Sequence, residues 1–129
     1  MSFTYVIDRE RRLVLSTISG ELTMGDIVGH QTALTQDAAF NPTFNQLADF
    51  TQVKKVSLSS EEIRTAASRS IFSRGSRRAF VAPTAELFGL SRMFEAYRAL
   101  EGGEEVLQVF KDKGEALRWL LKGSKAGQC

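Results

Sequence analysis

Residues suited to acid–base, metal or nucleophilic chemistry are scarce in this chain. His30 is its only histidine and Cys129 its only cysteine. Zinc sites take several His, Cys or carboxylate ligands, and a nucleophilic serine needs a base beside it. His30 follows Asp26 by four residues on a predicted helix, which is the spacing of an ordinary surface pair. We therefore predict that the protein is not an enzyme and that it holds no metal and no cofactor.

Three serines precede a predicted helix, and two of them are candidates for phosphorylation. Ser59 with Glu62 three residues later has the pattern of a capping box, which favours a structural role for Ser59. Ser57 and Ser60 lie where free backbone N–H groups and the helix dipole favour an anion. A phosphate on either residue would also lie beside two lysines. We therefore keep Ser57 and Ser60 as possible phosphorylation sites.

Positive charge is concentrated in one part of the chain. The formal net charge is only +2, which does not indicate a nucleic-acid partner. Seven cations and two acids lie between Lys54 and Arg78. This excess fits either a solvated surface or a surface that binds an acidic protein, an anionic lipid or a phosphorylated partner.

Length and composition indicate one globular domain. The chain has 129 residues, 43% of them hydrophobic and 25% charged, which are ordinary values for a globular protein. No apolar run approaches the length of a membrane span, and the first residues lack a basic start and an apolar signal core. We expect a cytoplasmic protein with a domain over residues 1–122 and a flexible tail over residues 123–129.

Hydrophobic periodicity and capping patterns predict the element order β-β-α-β-α-β-α-β-α. Helix caps at Thr23, Ser59 and Asp112 each precede an amphipathic segment. Alternating strands and helices after an N-terminal hairpin are typical of a mostly parallel sheet with an antiparallel edge. The predicted fold is therefore a single-domain α/β structure with about five strands and about four helices. The predicted strands are residues 3–8, 13–18, 47–50, 79–82 and 106–110.

The third predicted helix is well suited to contacting another molecule. A β-prone run ends at Pro83 and the helix follows at once, which is the junction where α/β proteins usually place a binding edge. The helical wheel places Phe88 outside the apolar stripe of this helix. Such a phenylalanine is either a single exposed aromatic or a contact to a second subunit, a ligand or a membrane. The stripe consists of Leu87, Leu90, Phe94 and Tyr97, with Met93 beside it.

The element order and the second half of the chain resemble the SpoIIAA-like branch of the STAS superfamily. The resemblance covers nearly the whole domain. The segments on which the resemblance rests are residues 78–83 (RAFVAP), 90–97 (LSRMFEAY), 109–112 (VFKD) and 115–120 (EALRWL).

This resemblance implies a non-enzymatic interaction or regulatory module with a protein partner. In related STAS domains that antagonise anti-sigma factors, a strand ends in an acidic, apolar, hydroxyl triplet and a phosphorylated serine lies at the start of the next helix. Asp49-Phe50-Thr51 resembles that triplet. Residues 57–61 do not match the Asp-Ser-x-Gly signature of those domains, which disfavours a phosphoswitch of that kind. Thr51 and Thr84, at the ends of two strands, are candidate partner contacts.

Domains of this shape also resemble the CRAL-TRIO lipid carriers, in which a helix moves away from the sheet to admit an apolar ligand or to meet a membrane. The alternative function is therefore a carrier or sensor of a small apolar or anionic amphipathic ligand. Peripheral membrane contact through the third helix and a homodimer are both compatible with it. The candidate lining residues are Phe88, Met93 and Tyr97, and the candidates for holding an anionic head are Arg77, Arg78 and Arg92.

Overall fold

The structure, a computed structural model, describes the backbone of residues 3–126 and the side chains of residues 3–121. Its elements follow the predicted order. They are β1 (Phe3–Asp8), β2 (Leu13–Thr23), α1 (Met24–Thr35), β3 (Asn45–Ser57), α2 (Ser60–Ala67), β4 (Arg77–Val81), α3 (Ala85–Leu100), β5 (Val106–Phe110) and α4 (Lys113–Ala126). Helix α4 passes the predicted domain end at residue 122, and residues 127–129 of the predicted tail lie outside the described residues.

The strands form one mixed sheet in the spatial order β1-β2-β3-β4-β5. β1 and β2 are antiparallel, whereas β2, β3, β4 and β5 pair in parallel with their neighbours. Parallel neighbours need crossover connections, which the helices between the strands supply. This architecture confirms the predicted α/β fold with an antiparallel edge. Within residues 3–126, no helix is both long enough and apolar enough to cross a bilayer.

β2 and β3 extend further than their sequence patterns predict. Past the apolar run of each strand, residues 19–23 of β2 pair with residues 52–57 of β3. The register shifts beside Gly20, whose φ of 72° is a conformation that glycine adopts without strain. Most of this extension is exposed, so it lacks the alternating hydrophobic pattern that identifies a strand. Ser57 consequently ends a strand and does not begin a helix.

Helices cover both faces of the sheet, three on one face and α4 on the other. Successive residues of a strand point to opposite faces, so each strand supplies both cores. The core under α4 contains Leu13, Leu47, Ala79, Val81, Ala116 and Leu120. The main apolar core under α1, α2 and α3 contains Ile18, Leu22, Ala48, Phe50, Phe80, Ala82, Leu87 and Leu107.

Candidate functional site

A row of buried polar side chains crosses the face of the sheet that α1, α2 and α3 cover. Ser16 on β2, Gln46 on β3 and Arg78 on β4 are 0%, 3% and 7% exposed, and Glu105 lies directly before β5. Gln46 and Arg78 are opposite each other in the parallel register. The residues that follow Gln46 and Arg78 in the chain belong to the apolar core under α4. The polar row is therefore confined to one face.

Hydrogen bonds join this row into a network. Nε of Arg78 donates to Oε1 of Gln46 at 3.0 Å, and Nε2 of Gln46 donates to Oγ of Ser16 at 3.2 Å. Oγ of Ser16 lies 2.9 Å from Nε2 of His30 on α1. An unpaired buried polar group is costly. The network avoids this cost, because every fully buried side-chain nitrogen and oxygen among the described residues has a partner.

Glu105 holds two arginines at the other end of the row. Its carboxylate accepts a hydrogen bond from Nη1 of Arg78 at 3.2 Å and from Nη2 of Arg98 at 2.7 Å. Oγ of Ser70 donates to the same carboxylate at 2.9 Å. The Glu105 side chain is 2% exposed, and the arginine side chains are 8% and 13% exposed. Two guanidinium groups thus share one carboxylate, which leaves an excess positive charge inside the protein.

Burial and pairing have opposite effects on the pKa values of Arg78 and Glu105, because burial favours the neutral form of each group and pairing favours its charged form. Burial lowers the pKa of Arg78 to about 10, and the charge and hydrogen bond of Glu105 oppose this effect. Burial alone would raise the pKa of Glu105, but hydrogen bonds from Arg98 and Ser70 and the charge of Arg78 hold it at about 2. Both groups are therefore ionised near neutral pH, and the excess positive charge persists there.

His30 ends the network as a neutral imidazole. It is 8% exposed, and its ring packs on Phe3 and Tyr5 with centroid distances of 4.4 and 5.8 Å. Burial first, and the charge of Arg78 second, lower the pKa of His30 from 6.5 to about 4. The predicted surface pair with Asp26 is wrong, because His30 faces the sheet while Asp26 takes part in the cap of α1.

A cavity lies beside the polar row, between the sheet and helices α1, α2 and α3. Its volume is about 100 Å³. Engineered apolar cavities of about 150 Å³ bind benzene. This space has about two-thirds of that volume and is partly open to solvent, so it suits only a small organic molecule. Most of the lining is apolar, with contributions from Leu22, Ile27, Phe50, Ile63, Leu87 and Phe94; the polar lining residues are His30, Gln31, Gln46, Arg78 and Ser91.

One nitrogen of Arg78 is available at the wall of this cavity. Nε and Nη1 bond to partners in the network, whereas Nη2 donates to no described residue. Since no fully buried side-chain nitrogen among residues 3–121 lacks a partner, Nη2 retains accessible surface, and Arg78 lines the cavity. The rings of Phe72, Phe80 and Phe94 surround the guanidinium at 4.6, 5.3 and 5.6 Å. The apolar wall therefore presents a cation with a free donor.

Of the three arginines predicted to hold an anionic head, Arg78 alone lines the cavity. Arg77 lies on the opposite face of the sheet, where it stacks on Trp119 at 4.8 Å and donates to the Trp119 carbonyl at 3.4 Å. A one-residue step along β4 reverses the direction of the side chain, which separates Arg77 from Arg78. Arg92 is exposed on α3 and pairs with Glu95 at 2.9 Å.

The residues of α3 that line the cavity differ from the predicted ones. Phe88, Met93 and Tyr97 are half-buried and are not part of the lining. Phe88 packs against the apolar core, and Nζ of Lys111 lies 5.2 Å from the centre of its ring. The prediction that Phe88 faces away from the core is therefore wrong, because the end of β5 lies beside α3 and covers a side that the helical wheel leaves open. The α3 lining residues are Leu87, Leu90, Ser91 and Phe94.

Two threonines predicted as contacts at strand ends support local structure, and Thr51 does not end a strand, because β3 continues to Ser57. Oγ1 and the backbone N of Thr51 donate to Oδ1 of Asp49 at 2.6 and 2.8 Å. Oγ1 of Thr84 accepts a hydrogen bond from the backbone N of Leu87 at 3.2 Å and caps α3. Both threonines are exposed and lie outside the cavity lining.

The candidate phosphorylation sites have different surroundings. Ser57 donates a hydrogen bond to the carboxylate of Glu21, so a phosphate at this position would face a like charge. The expected stabilising placement of a phosphate on Ser57 at a helix start is therefore wrong. Ser60 is exposed in the first turn of α2, next to the capping box of Ser59 and Glu62, which forms as predicted.

The basic stretch does not form a single helix face. α2 ends at Ala67, so Arg69 and Arg74 lie beyond it. Arg74 pairs with Glu104, and Arg69 donates to Gln31 at 3.2 Å. Arg78 is inside the protein, so the sequence excess overstates the positive charge of the surface.

Sequence reasoning missed most of the polar network. Ser16 and Gln46 are single polar residues at inward positions of apolar strands, a pattern that can be recognised only when the strand boundaries are known. Arg98 lies before the pair Gly102-Gly103 and Glu105 lies after it. The chain reversal at the two glycines brings the two side chains together. The signal that could have revealed the network is a set of inward-facing polar residues that lie opposite one another on neighbouring strands.

A solved structure shares this fold. The chain is similar to the crystal structure of an uncharacterized protein of the DUF3478 family from Shewanella loihica, which is described as having a SpoIIAA-like fold. The TM-score is 0.59 at 20% sequence identity, and the match covers 92% of this chain and 94% of that chain. No protein-family model and no curated protein matches the chain. The SpoIIAA-like fold predicted from the sequence is thus confirmed.

Proposed function

We propose that this protein is a non-enzymatic carrier or sensor that holds a small, largely apolar ligand in the cavity between the sheet and helices α1, α2 and α3. The observation that supports this proposal is the cavity of about 100 Å³. Protein interiors are normally packed to crystal-like density, with few spaces larger than a water molecule. A space of this size, with an apolar wall, is the usual form of a small-molecule site.

The surroundings of the cavity fit ligand binding better than catalysis. His30 is held neutral by burial and its Nε2 lies within hydrogen-bond distance of Ser16, and no carboxylate appears among the lining residues. Within the described residues, no group of three His, Cys, Asp or Glu is placed to hold a metal ion. The site thus offers shape, an apolar wall and a few fixed donors, which are the requirements of recognition.

The cavity also favours this function over that of a surface interaction module. An interaction module requires only exposed surface residues, such as Thr51 and Thr84, and gains nothing from interior space. Empty apolar space lowers stability by lost contacts. A ligand that fills the space would restore those contacts.

Benzene is a suitable neutral probe, because it tests the cavity without depending on charge. Saturating benzene should raise the melting temperature, since a ligand that binds only the folded state stabilises that state. The variant Ala66→Leu should lose this response, because Ala66 is 1% exposed and lines the cavity.

Thr65→Leu is the matched control on the same helix. Thr65 is exposed and is not part of the lining, so this variant should respond to benzene as the parent does. If benzene does not change the melting temperature of the parent, or changes that of the Ala66→Leu variant equally, the cavity is not a ligand site and the proposal is wrong.

A further inference from the structure

Charge inside the protein is unbalanced beside the cavity. Arg78 and Arg98 share the carboxylate of Glu105, and Arg98 satisfies Glu105 with two hydrogen bonds of 3.0 and 2.7 Å. Arg78 makes only one, at 3.2 Å. A buried charge is costly unless it is paired. Arg78 therefore carries the less compensated charge, and it is the arginine that lines the cavity.

Arg78 and Ser91, two almost fully buried residues of the cavity wall, each hold a hydrogen-bond donor that has no acceptor among the described residues, as does Nε2 of the more exposed Gln31. Nη2 of Arg78 donates to no described residue, and neither does Oγ of Ser91, although these residues are each 7% exposed. Nothing in the lining supplies a carboxylate that could accept from them. Free donors on an apolar wall are complementary to a ligand that brings its own acceptor oxygens.

The amount of uncompensated charge and the size of the cavity restrict the ligand. One excess positive charge matches a monoanion, and a dianion would leave a negative charge in a low-dielectric site. Guanidinium groups form strong, charge-assisted hydrogen bonds with carboxylates. A cavity of about 100 Å³ leaves room for only a short apolar tail.

We propose that the ligand is a small monocarboxylate, whose carboxylate accepts a hydrogen bond from Nη2 of Arg78 and whose short branched or cyclic apolar tail fills the remaining cavity. This inference rests on the proposed function, because it assigns the chemistry of the ligand in the same cavity. It makes Arg78 the residue that selects anionic over neutral ligands.

Isovalerate and isovaleramide form the test pair, because they have the same tail and nearly the same shape but differ in charge. Titrations of the parent protein at pH 7, followed by NMR chemical shifts, should give at least tenfold tighter binding for isovalerate. Arg78→Met should remove this preference while leaving benzene binding intact. This variant should fold, because Glu105 keeps its two hydrogen bonds to Arg98.

Arg98→Met is the matched control for charge. It removes the excess positive charge of the cluster but leaves Nη2 of Arg78 unchanged, and Arg98 is not part of the cavity lining, so the preference for isovalerate should be reduced but not abolished. A more conservative variant, Arg78→Lys, keeps the charge and should retain a reduced preference for isovalerate over isovaleramide. Ser91→Ala should lower the affinity for isovalerate by a few-fold.

The outcomes separate the two proposals. If benzene binds and the parent binds isovalerate and isovaleramide equally, the monocarboxylate inference is wrong and the cavity function stands. If Arg98→Met abolishes the preference as completely as Arg78→Met does, the inference is also wrong, because net charge and not Nη2 would select the ligand. If benzene does not bind, the proposed function is wrong, and the monocarboxylate inference fails with it because it rests on that function.

Discussion

The two faces of the sheet are made by the same strands, but their inward residues differ in kind. On the α4 face, Leu47 and Ala79 belong to an apolar core. One residue earlier on each strand, Gln46 and Arg78 face the other helices and join a buried hydrogen-bond network. The α4 face therefore gains stability mainly from packing, with polar contacts between Lys113 and Asp49 and between Arg77 and Trp119. The other face has less apolar packing, because polar groups and a cavity replace part of its core. Lower packing stability of this kind is expected where a protein forms a binding site.

The largest difference between the faces should appear when the charge that holds the network is removed. Glu105→Gln leaves Arg78 and Arg98 without their anion, and breaking a buried ion pair in this way typically costs about 3 to 5 kcal/mol. Urea unfolding at pH 7 measures this loss.

Glu104→Gln is the control for that variant, because Glu104 pairs with Arg74 on the surface. Exposed pairs contribute little, so its unfolding midpoint should remain close to that of the parent. Similar midpoints for the two variants would show that the buried cluster has no special role in stability.

The polar face should also make stability depend on pH through His30. The pKa of His30 is about 4 in the folded protein and 6.5 in an exposed imidazole. The unfolded chain therefore binds a proton more readily between these values, so this stabilisation is complete above pH 6.5 and is lost as the pH falls towards 4. The free energy of unfolding should fall by about 2 to 3 kcal/mol between pH 7 and pH 4.5.

Replacement of His30 by Asn isolates this contribution, because the chain contains no other histidine. The variant should show a much flatter stability profile between pH 7 and pH 4.5. A profile as steep as that of the parent would mean that other groups cause the decrease.

Enlarging one alanine on each face compares their packing directly. Ala66 lines the cavity, whereas Ala116 is 0% exposed in the α4 core. A leucine at position 116 should overpack the core and cost about 1 to 3 kcal/mol. A leucine at position 66 has space to occupy and should cost clearly less, or stabilise the protein, in the same urea experiment. Equal losses would argue against usable space under the three helices.

The smallest change in the free energy of unfolding should follow from replacing an arginine that contacts neither core of the sheet. Arg92 is exposed on α3, and its only ion pair among the described residues is with Glu95. Arg92→Ser should change the free energy of unfolding by no more than about 0.5 kcal/mol. It should also leave the affinity for isovalerate unchanged, in contrast to Arg78→Met. A marked loss of affinity would place the anion on the surface of α3 and away from the cavity.

The fold could be predicted from local patterns, because periodicity and caps are properties of short segments. Thr23, Ser59 and Thr84 each precede a helix and cap it as their types indicate. The outer half of β3 could not be predicted in this way, since residues 51–57 are exposed for most of their length and gain their strand structure from pairing with β2.

The candidate site was less accessible to sequence reasoning, because it depends on the register between strands. Gln46 and Arg78 are 32 residues apart, and only the pairing of β3 with β4 brings them together. Arg78 could be selected as a cation near a strand start, but nothing local separates it from Arg77. The alternation of side chains along β4 decides between them, and a one-residue change in register would exchange their faces.

The most direct test of the difference between the two faces is a benzene titration followed by methyl NMR. Ile63, Leu87 and Leu90 line the cavity, whereas Leu13, Leu47 and Leu120 belong to the α4 core. If the cavity binds ligands, the methyl resonances of the first three residues should shift in a saturable manner, while those of the second three change little. Shifts confined to the α4 core, or no saturable shifts on either face, would contradict the account.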